Sequence, residues 1–271
     1  MKGRIFATGK TGTIGKHFSK DILDLKFDLT VQTTRLNPIF LSSGDVLIHA
    51  GGLVGDTLVD LDPLRAYNIN VLGTRNLALH ALKANVSKFV FLSSSHVYAP
   101  SNSKLKETHV VKPTSEYAKQ KIEAENILLE LFKKKSNKLC IVRIFSVLDW
   151  DVKEFTLGGG VKKLTSPNSN YKLNYALDVR DFLTPKQIAD AVVKISDSHE
   201  ISGIINLCSG VGISNEYAAK VMLEGVGMTL PEDRIIRVNS TNPIVIGDNS
   251  KLISQLPKLN LIWEPNPKSF S

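Results

Sequence analysis

Short apolar runs alternate with longer amphipathic stretches through the first half of the chain. Ile5-Phe6-Ala7, Val46-Leu47-Ile48, Phe89-Val90-Phe91-Leu92 and Leu139-Cys140-Ile141-Val142 are continuous rather than alternating. That is the pattern of strands buried on both faces. It places strands at 4–8, 29–34, 45–49, 88–92 and 138–145, with helices near 12–25, 63–84 and 115–135. The helix over 115–135 is rich in helix formers and carries Ala118, Ile122, Leu129 and Phe132 along one apolar face. Beyond Asp149 the periodicity weakens. Gly158-Gly159-Gly160 and Ser166-Pro167-Asn168-Ser169-Asn170 read as loops. A helix at 185–195, a strand at 203–207 and a shorter helix at 215–225 restore the rhythm before a proline-rich end. The stretch between Arg35 and Asp45 is too short for a full helix and another strand, which implies one trimmed strand–helix unit. Strand–helix alternation of this kind predicts an α/β fold, a Rossmann-type doubly wound parallel sheet with a smaller C-terminal lobe.

Composition narrows the class without naming it. The 271 residues are 42% hydrophobic and 22% charged, with mean hydropathy −0.02. No apolar run reaches the roughly 18 residues of a membrane span. The start, Met1-Lys2-Gly3-Arg4, runs straight into a strand and shows no secretory leader. Cys140 and Cys208 each lie in an apolar run, as buried thiols of a reducing compartment do, and have no metal-ligand spacing. These features point to the cytoplasm. The net charge of +8 suits an anionic ligand. Lys133-Lys134-Lys135 and Lys138 end a predicted helix, where cations meet the dipole and orphan carbonyls. No basic–aromatic interleaving of the single-strand-binding kind is present, which argues against nucleic acid.

The chemistry begins at Thr8-Gly9-Lys10-Thr11-Gly12-Thr13-Ile14-Gly15, directly after the first strand. A glycine-spaced turn between strand and helix lets backbone N–H groups approach a dinucleotide pyrophosphate, with the helix dipole favouring its charge. The expected division is a nucleotide-binding domain over 1–148, completed by about 180–208, and an interleaved substrate-binding lobe over 149–271. A second constellation lies downstream. Tyr117 and Lys121 stand four apart on the predicted helix, hence on one face. Ser94 comes just after the strand at 88–92, at the carboxyl edge where such sheets bind ligands. A tyrosine titrates near pH 10 in water. A neighbouring ammonium lowers that value and makes the phenol an acid–base group, while a serine hydroxyl holds a carbonyl beside it.

Taken together these stretches resemble the extended short-chain dehydrogenases/reductases of the nucleotide-sugar epimerase/dehydratase/reductase superfamily. The resemblance runs through Thr8–Gly15, Asp45–Gly52, Asn70–Leu77, Leu92–Tyr98, Tyr117–Lys121, Val142–Phe145 and Arg180–Phe182. It implies a catalytic Ser94, Tyr117 and Lys121 acting with a nicotinamide cofactor at a sugar carbon. The implied cofactor contacts are Gly9, Thr11, Gly12, Thr13, Ile14, Gly15, Thr34, Arg35, Ala50, Gly51, Gly52 and Asn70, with Tyr117 and Lys121. At the end of the predicted second strand Thr34-Arg35 replaces the acid that usually accepts from a ribose 2′-hydroxyl, which favours NADP, with NAD as the alternative.

Departures from the family pattern bear on the substrate. Ser95-His96 stands where dehydratases carry Asp-Glu, which argues against water elimination. His96 either serves acid–base work on a carbon beside the ketone or merely orients substrate. Ser146 replaces an asparagine that helps hold the sugar nucleotide. Arg180 matches an arginine turned toward the substrate diphosphate, or else pairs with Asp181. His49 is expected to be structural. The expectation is an NADP-dependent reductase of a 4-keto nucleotide sugar, a homodimer by resemblance. A nucleotide-sugar 4-epimerase with bound NAD is the nearest rival, and a non-catalytic nucleotide- or RNA-binding relative is the rival of another class.

Overall fold

A computed structural model describes residues 3–26, 41–150, 156–166 and 168–262. Its strands are β1 (Ile5–Thr8), β2 (Leu23–Asp24), β3 (Val46–His49), β4 (Lys88–Ser94), β5 (Leu139–Ile144), β6 (Ser146–Val147), β7 (Val179–Arg180), β8 (Phe182–Leu183), β9 (Gly203–Leu207), β10 (Ile213–Ser214) and β11 (Ile244–Val245). Its helices are α1 (Asp56–Leu61), α2 (Pro63–Tyr67), α3 (Thr74–Lys83), α4 (Glu116–Leu131), α5 (Leu157–Leu164), α6 (Pro185–Asp197), α7 (Asn215–Gly225) and α8 (Ser250–Gln255). A π-helical turn at Asn68–Gly73 joins α2 to α3. The main sheet is parallel throughout, in the order β2-β1-β3-β4-β5-β9.

The continuous apolar runs have the expected cause. Ala7, Ile48, Val90, Leu92, Cys140, Val142 and Ile205 pack with residues of α6 and α8 on one face. Their alternates Phe6, Leu47, Phe89, Phe91, Leu139 and Ile141 pack with α3 and α4 on the other. A parallel sheet covered on both sides leaves no polar face, so alternation disappears from the sequence. The doubly wound α/β class is therefore established. A second group of elements (α5, α7 and the small sheet β10-β7-β11) encloses its own core around Leu148, Val161, Leu173, Phe182 and Met222.

Three sequence expectations are corrected. The helix expected over 12–25 is a single 3-10 turn at Gly15–His17, after which Phe18 is extended and β2 begins at Leu23. Ile14, Phe18 and Ile22 recur at helical spacing, yet loop turns suffice to set Phe18 and Ile22 into the core. The strand edge beside β1 is taken by Leu23–Asp24. The expected strand at 29–34 lies in residues outside those described. Second, Gly158-Gly159-Gly160 is not a loop. It lies inside α5, capped by the Thr156 hydroxyl, which accepts from the Gly159 N–H at 3.2 Å. A Cβ on Gly160 would overlap the Tyr171 hydroxyl, so the glycine allows a close ring–helix approach that offsets its poor helix propensity. Third, the inward face of α4 is Tyr117, Ala118, Lys121, Ala124, Glu125 and Leu128, and Leu129 is exposed. Polar residues thus occupy the buried stripe, and that marks the site.

Candidate active site

Strand β4 is buried along all seven residues and ends at Ser93 and Ser94. There the chain turns sharply, and the Ser94 hydroxyl accepts from the His96 N–H at 3.2 Å, capping the 3-10 turn Ser95–Val97. Helix α4 starts beside this turn because Ser115 caps it, its hydroxyl accepting from the Ala118 N–H at 3.2 Å. Starting there, the helix directs Tyr117 and Lys121 inward, and both are buried. The Ser94 hydroxyl hydrogen-bonds the Tyr117 phenol. The Lys121 ammonium donates to the Leu92 carbonyl at 2.9 Å and lies 4.8 Å from the Phe91 ring centre and 5.9 Å from that of Tyr117. The three residues come together at the carboxyl edge of the sheet.

The electrostatics differ from the expectation that Lys121 would acidify the phenol. Burial raises the Tyr117 pKa well above the usual phenol range, the Ser94 hydrogen bond opposes the rise and the Asp56 charge adds to it. The phenol therefore holds its proton. Burial also pulls Lys121 down to about 8, against the opposing charge of Glu125. Lysine and tyrosine are thus shifted in proton affinity in opposite directions, each toward its neutral form.

Behind them lies a network that the sequence reading missed. Glu125, fully buried, accepts from the Ser93 hydroxyl and from the Arg143 guanidinium at 3.1 and 2.6 Å. Arg143 lies 4.7 Å from the Tyr98 ring centre, and the Tyr98 hydroxyl donates to Asn206 Oδ1 at 2.6 Å. The signal was present: Tyr117, Lys121 and Glu125 recur every four residues, so a charged stripe runs down the buried face of a helix. His49 is structural as expected. It is buried between Thr8 Oγ1 (2.7 Å) and Thr74 Oγ1 (2.9 Å), and burial lowers its pKa to about 3, so it stays neutral.

The glycine turn fits a phosphate cradle of a reduced kind. Gly9 has φ +74°, and a Cβ there would stand 2.7 Å from the Ala50 carbonyl and the Gly51 N–H; a Cβ on Gly15 would overlap the Gly9 carbonyl. The loop therefore packs directly on Ala50-Gly51, fastened by Gly51 N–H donating to Thr8 Oγ1 at 3.1 Å. Thr11, Gly12, Thr13 and Ile14 form the rim of this loop, which leads into one 3-10 turn and so lacks the dipole of a full helix. Gly52 (φ +153°) lies against Asn70. Asn70 is buried, donating to the Leu53 carbonyl and Gln120 Oε1 at 3.0 Å each and accepting from the Leu53 N–H at 2.8 Å. Its amide supports the loop at 50–53, which carries the expected cofactor contacts Ala50, Gly51 and Gly52. Thr34 and Arg35, expected at the end of the strand at 29–34, lie outside the described residues.

On the substrate side a cavity of about 260 Å³ is lined by Ser95, His96 and Asp56, with Thr241 and Asn242 from the second core's side of the molecule. The His96 ring meets Tyr117 edge-on, centres 5.9 Å apart. Arg180 pairs with Asp178 (2.8 Å), not with Asp181, and donates to the Val179 and Pro243 carbonyls at 2.9 and 3.0 Å. Asp181 is instead engaged by the N–H groups of Ser209, Gly210 and Gly247 and by the Ser209 hydroxyl. Ser146 opens the short strand β6, its N–H donating to the Asp181 carbonyl at 2.9 Å. Among the described residues, no helix is long and apolar enough to cross a membrane.

A parallel doubly wound sheet, a glycine turn and a serine–tyrosine–lysine cluster at its carboxyl edge define a nucleotide-dependent α/β enzyme. The model of the NAD dependent epimerase/dehydratase family matches residues 5–149, and the chain belongs to that family. It is similar to a GDP-6-deoxy-D-mannose reductase of Pseudomonas aeruginosa, 27% identical over 232 residues, 78% of this chain and 76% of that protein. A GDP-6-deoxy-D-talose 4-dehydrogenase of Aggregatibacter actinomycetemcomitans is 25% identical over 271 residues, 93% of this chain and 91% of the relative. In fold it is similar to the solved structure of RMD from Pseudomonas aeruginosa complexed with NADPH. The TM-score is 0.79, with 23% identity across 99% of this chain and 95% of the other.

Proposed function

We propose that the protein is an NADP-dependent reductase of a 4-keto nucleotide sugar, with Ser94, Tyr117 and Lys121 as its catalytic residues. The observation that carries this reading is a buried phenol that keeps its proton, hydrogen-bonded to a strand-tip hydroxyl and flanked by a buried ammonium. Gly9, Thr11, Gly12, Thr13, Ile14 and Gly15 would hold the pyrophosphate of NADPH, which when bound would supply the hydride. Tyr117 gives its phenolic proton to the ketone oxygen as the carbon–oxygen double bond becomes an alcohol. Ser94 donates a hydrogen bond to that oxygen while its charge develops. Lys121 stabilises the resulting phenolate until solvent returns the proton, and its ammonium holds the cofactor ribose. Ala50, Gly51 and Gly52 close the other wall of the groove, with Asn70 holding them in place.

The preference for NADP over NAD rests on the likeness to the reductase solved with NADPH, whereas other structural relatives, such as the Thermus thermophilus UDP-glucose 4-epimerase, were solved with NAD. We assign 1–148, completed by 180–208, to the cofactor domain and 149–271 to the substrate lobe. Ser95, His96, Ser146 and Arg180 belong to the substrate side. The basic charge then serves the diphosphate and dinucleotide, not nucleic acid or a membrane surface. The protein is read as a cytoplasmic homodimer. Mixing the purified protein with NADPH and GDP-, UDP- or dTDP-linked 4-keto sugars tests the reading. Loss of NADPH absorbance supports it, and silence with every sugar overturns it. Retention of NAD through purification, released on denaturation, would favour the 4-epimerase reading instead.

A further inference from the structure

Asp56 opens α1 and lines the same cavity as Ser95 and His96. Its carboxylate makes no hydrogen bond or ion pair among the described residues, and neither ring nitrogen of His96 has a hydrogen-bond partner there. Asp56 is exposed on the wall of the cavity it shares with Ser95 and His96, near enough for its charge to bear on His96 and on the buried Tyr117. Arg180 acts on the same imidazole with opposite sign, and Asp178 with the Val179 and Pro243 carbonyls holds that guanidinium in place. The cavity thus carries a carboxylate at Asp56, and Arg180, its charge partly offset by Asp178, is the cation that bears on His96. A diphosphate is repelled from the first and drawn to the second, which turns the sugar ring toward Asp56. In a 4-keto pyranose, C5 carries the ring oxygen, and of the two neighbours of the ketone only C3 bears a hydrogen-bond donor.

We propose that Asp56 is a specificity-determining residue that accepts a hydrogen bond from the hydroxyl or amino group at C3 of the bound 4-keto sugar. The proposal rests on the reductase reading of the site. A donor to a charged acceptor is worth about 10- to 100-fold in affinity, and a substrate lacking it forfeits that factor.

The test compares the full-length protein with Asp56→Ala and Asp56→Asn. The probes are a GDP-linked 4-keto-6-deoxyhexose, its 3-deoxy analogue and its 3-amino analogue, followed both by calorimetric binding and by NADPH turnover. The wild type is expected to bind the two donor-bearing sugars about 10- to 100-fold more tightly than the 3-deoxy sugar. Asp56→Ala erases that difference, with the loss falling on KM more than on kcat. Asp56→Asn keeps part of the preference for hydroxyl and loses it for the ammonium. Persistence of the preference in Asp56→Ala overturns the proposal and leaves the reductase reading standing. Preference lost in Asp56→Ala without turnover in the wild type keeps Asp56 and sinks the reductase reading. Failure of all three sugars to bind overturns both.

Discussion

The two halves of the groove are built to different standards. On the catalytic side a seven-residue strand, buried throughout, meets a sixteen-residue helix, and behind their junction lies the Ser93–Glu125–Arg143 network. On the phosphate side a four-residue strand leads through one 3-10 turn to a two-residue strand whose residues are both exposed. The contrast reflects what each side has to do. Proton transfer needs side-chain atoms held in register, which takes rigid elements and a supporting shell. Phosphate recognition needs backbone N–H groups, which a loop supplies wherever glycines let it lie flat on its neighbour.

Breaking the catalytic side should give the largest effect. Tyr117→Phe is expected to lower kcat/KM by about 10³- to 10⁴-fold while leaving the urea midpoint nearly unchanged, since general acid catalysis is removed and little packing is lost. A midpoint shift as large as the activity loss would refute this division. Glu125→Gln strikes the shell behind it. Losing one partner of a buried pair costs about 3–5 kcal/mol, because Arg143 is left buried without its counter-charge. Equilibrium unfolding measures this, and the loss of Glu125's charge should also move the alkaline limb of activity to lower pH.

The phosphate side should yield to smaller changes. Gly15→Ala drives a Cβ into the Gly9 carbonyl, and overpacking of this kind costs about 1–3 kcal/mol. Gly12→Ala, where the same carbon would stand 3.2 Å from that carbonyl, is expected to cost less. NADPH titration by fluorescence should rank the two in that order, with kcat at saturation almost unaffected. Equal losses at both positions would contradict the packing argument. The mildest probe is pH. Lys121 is a cation below its lowered value of about 8 and neutral above it. The value of kcat/KM should therefore hold below pH 8 and decline about tenfold per unit above it. The stability contribution runs the other way. The folded protein resists charging Lys121, so this residue's destabilising contribution is complete below pH 8 and fades as pH rises from there toward the ordinary lysine range.

Much of this was legible from residue order. Continuous apolar runs announced a two-faced sheet, and the spacing placed Tyr117 and Lys121 on one helix face beside a strand-tip Ser94. Periodicity misled where unlike structures share one spacing: Ile14, Phe18 and Ile22 are spaced as in a helix but are set against the core by loop turns. It misled again at Gly158-Gly159-Gly160, whose helix depends on a Thr156 cap and on the approach of Tyr171, a partner outside the helix.

By itself, then, the sequence determined the sheet class, the glycine turn and the Ser94–Tyr117–Lys121 set, because local spacing dictates which residues share a face or an edge. The tertiary structure alone decided that Arg180 answers to Asp178, that Asn70 supports a loop, that Glu125 pairs with Arg143 behind Tyr117 and Lys121, and that Asp56 shares a cavity with His96. Those outcomes depend on burial and on charges brought together from distant parts of the chain, and neither burial nor long-range proximity is written in the spacing of neighbours.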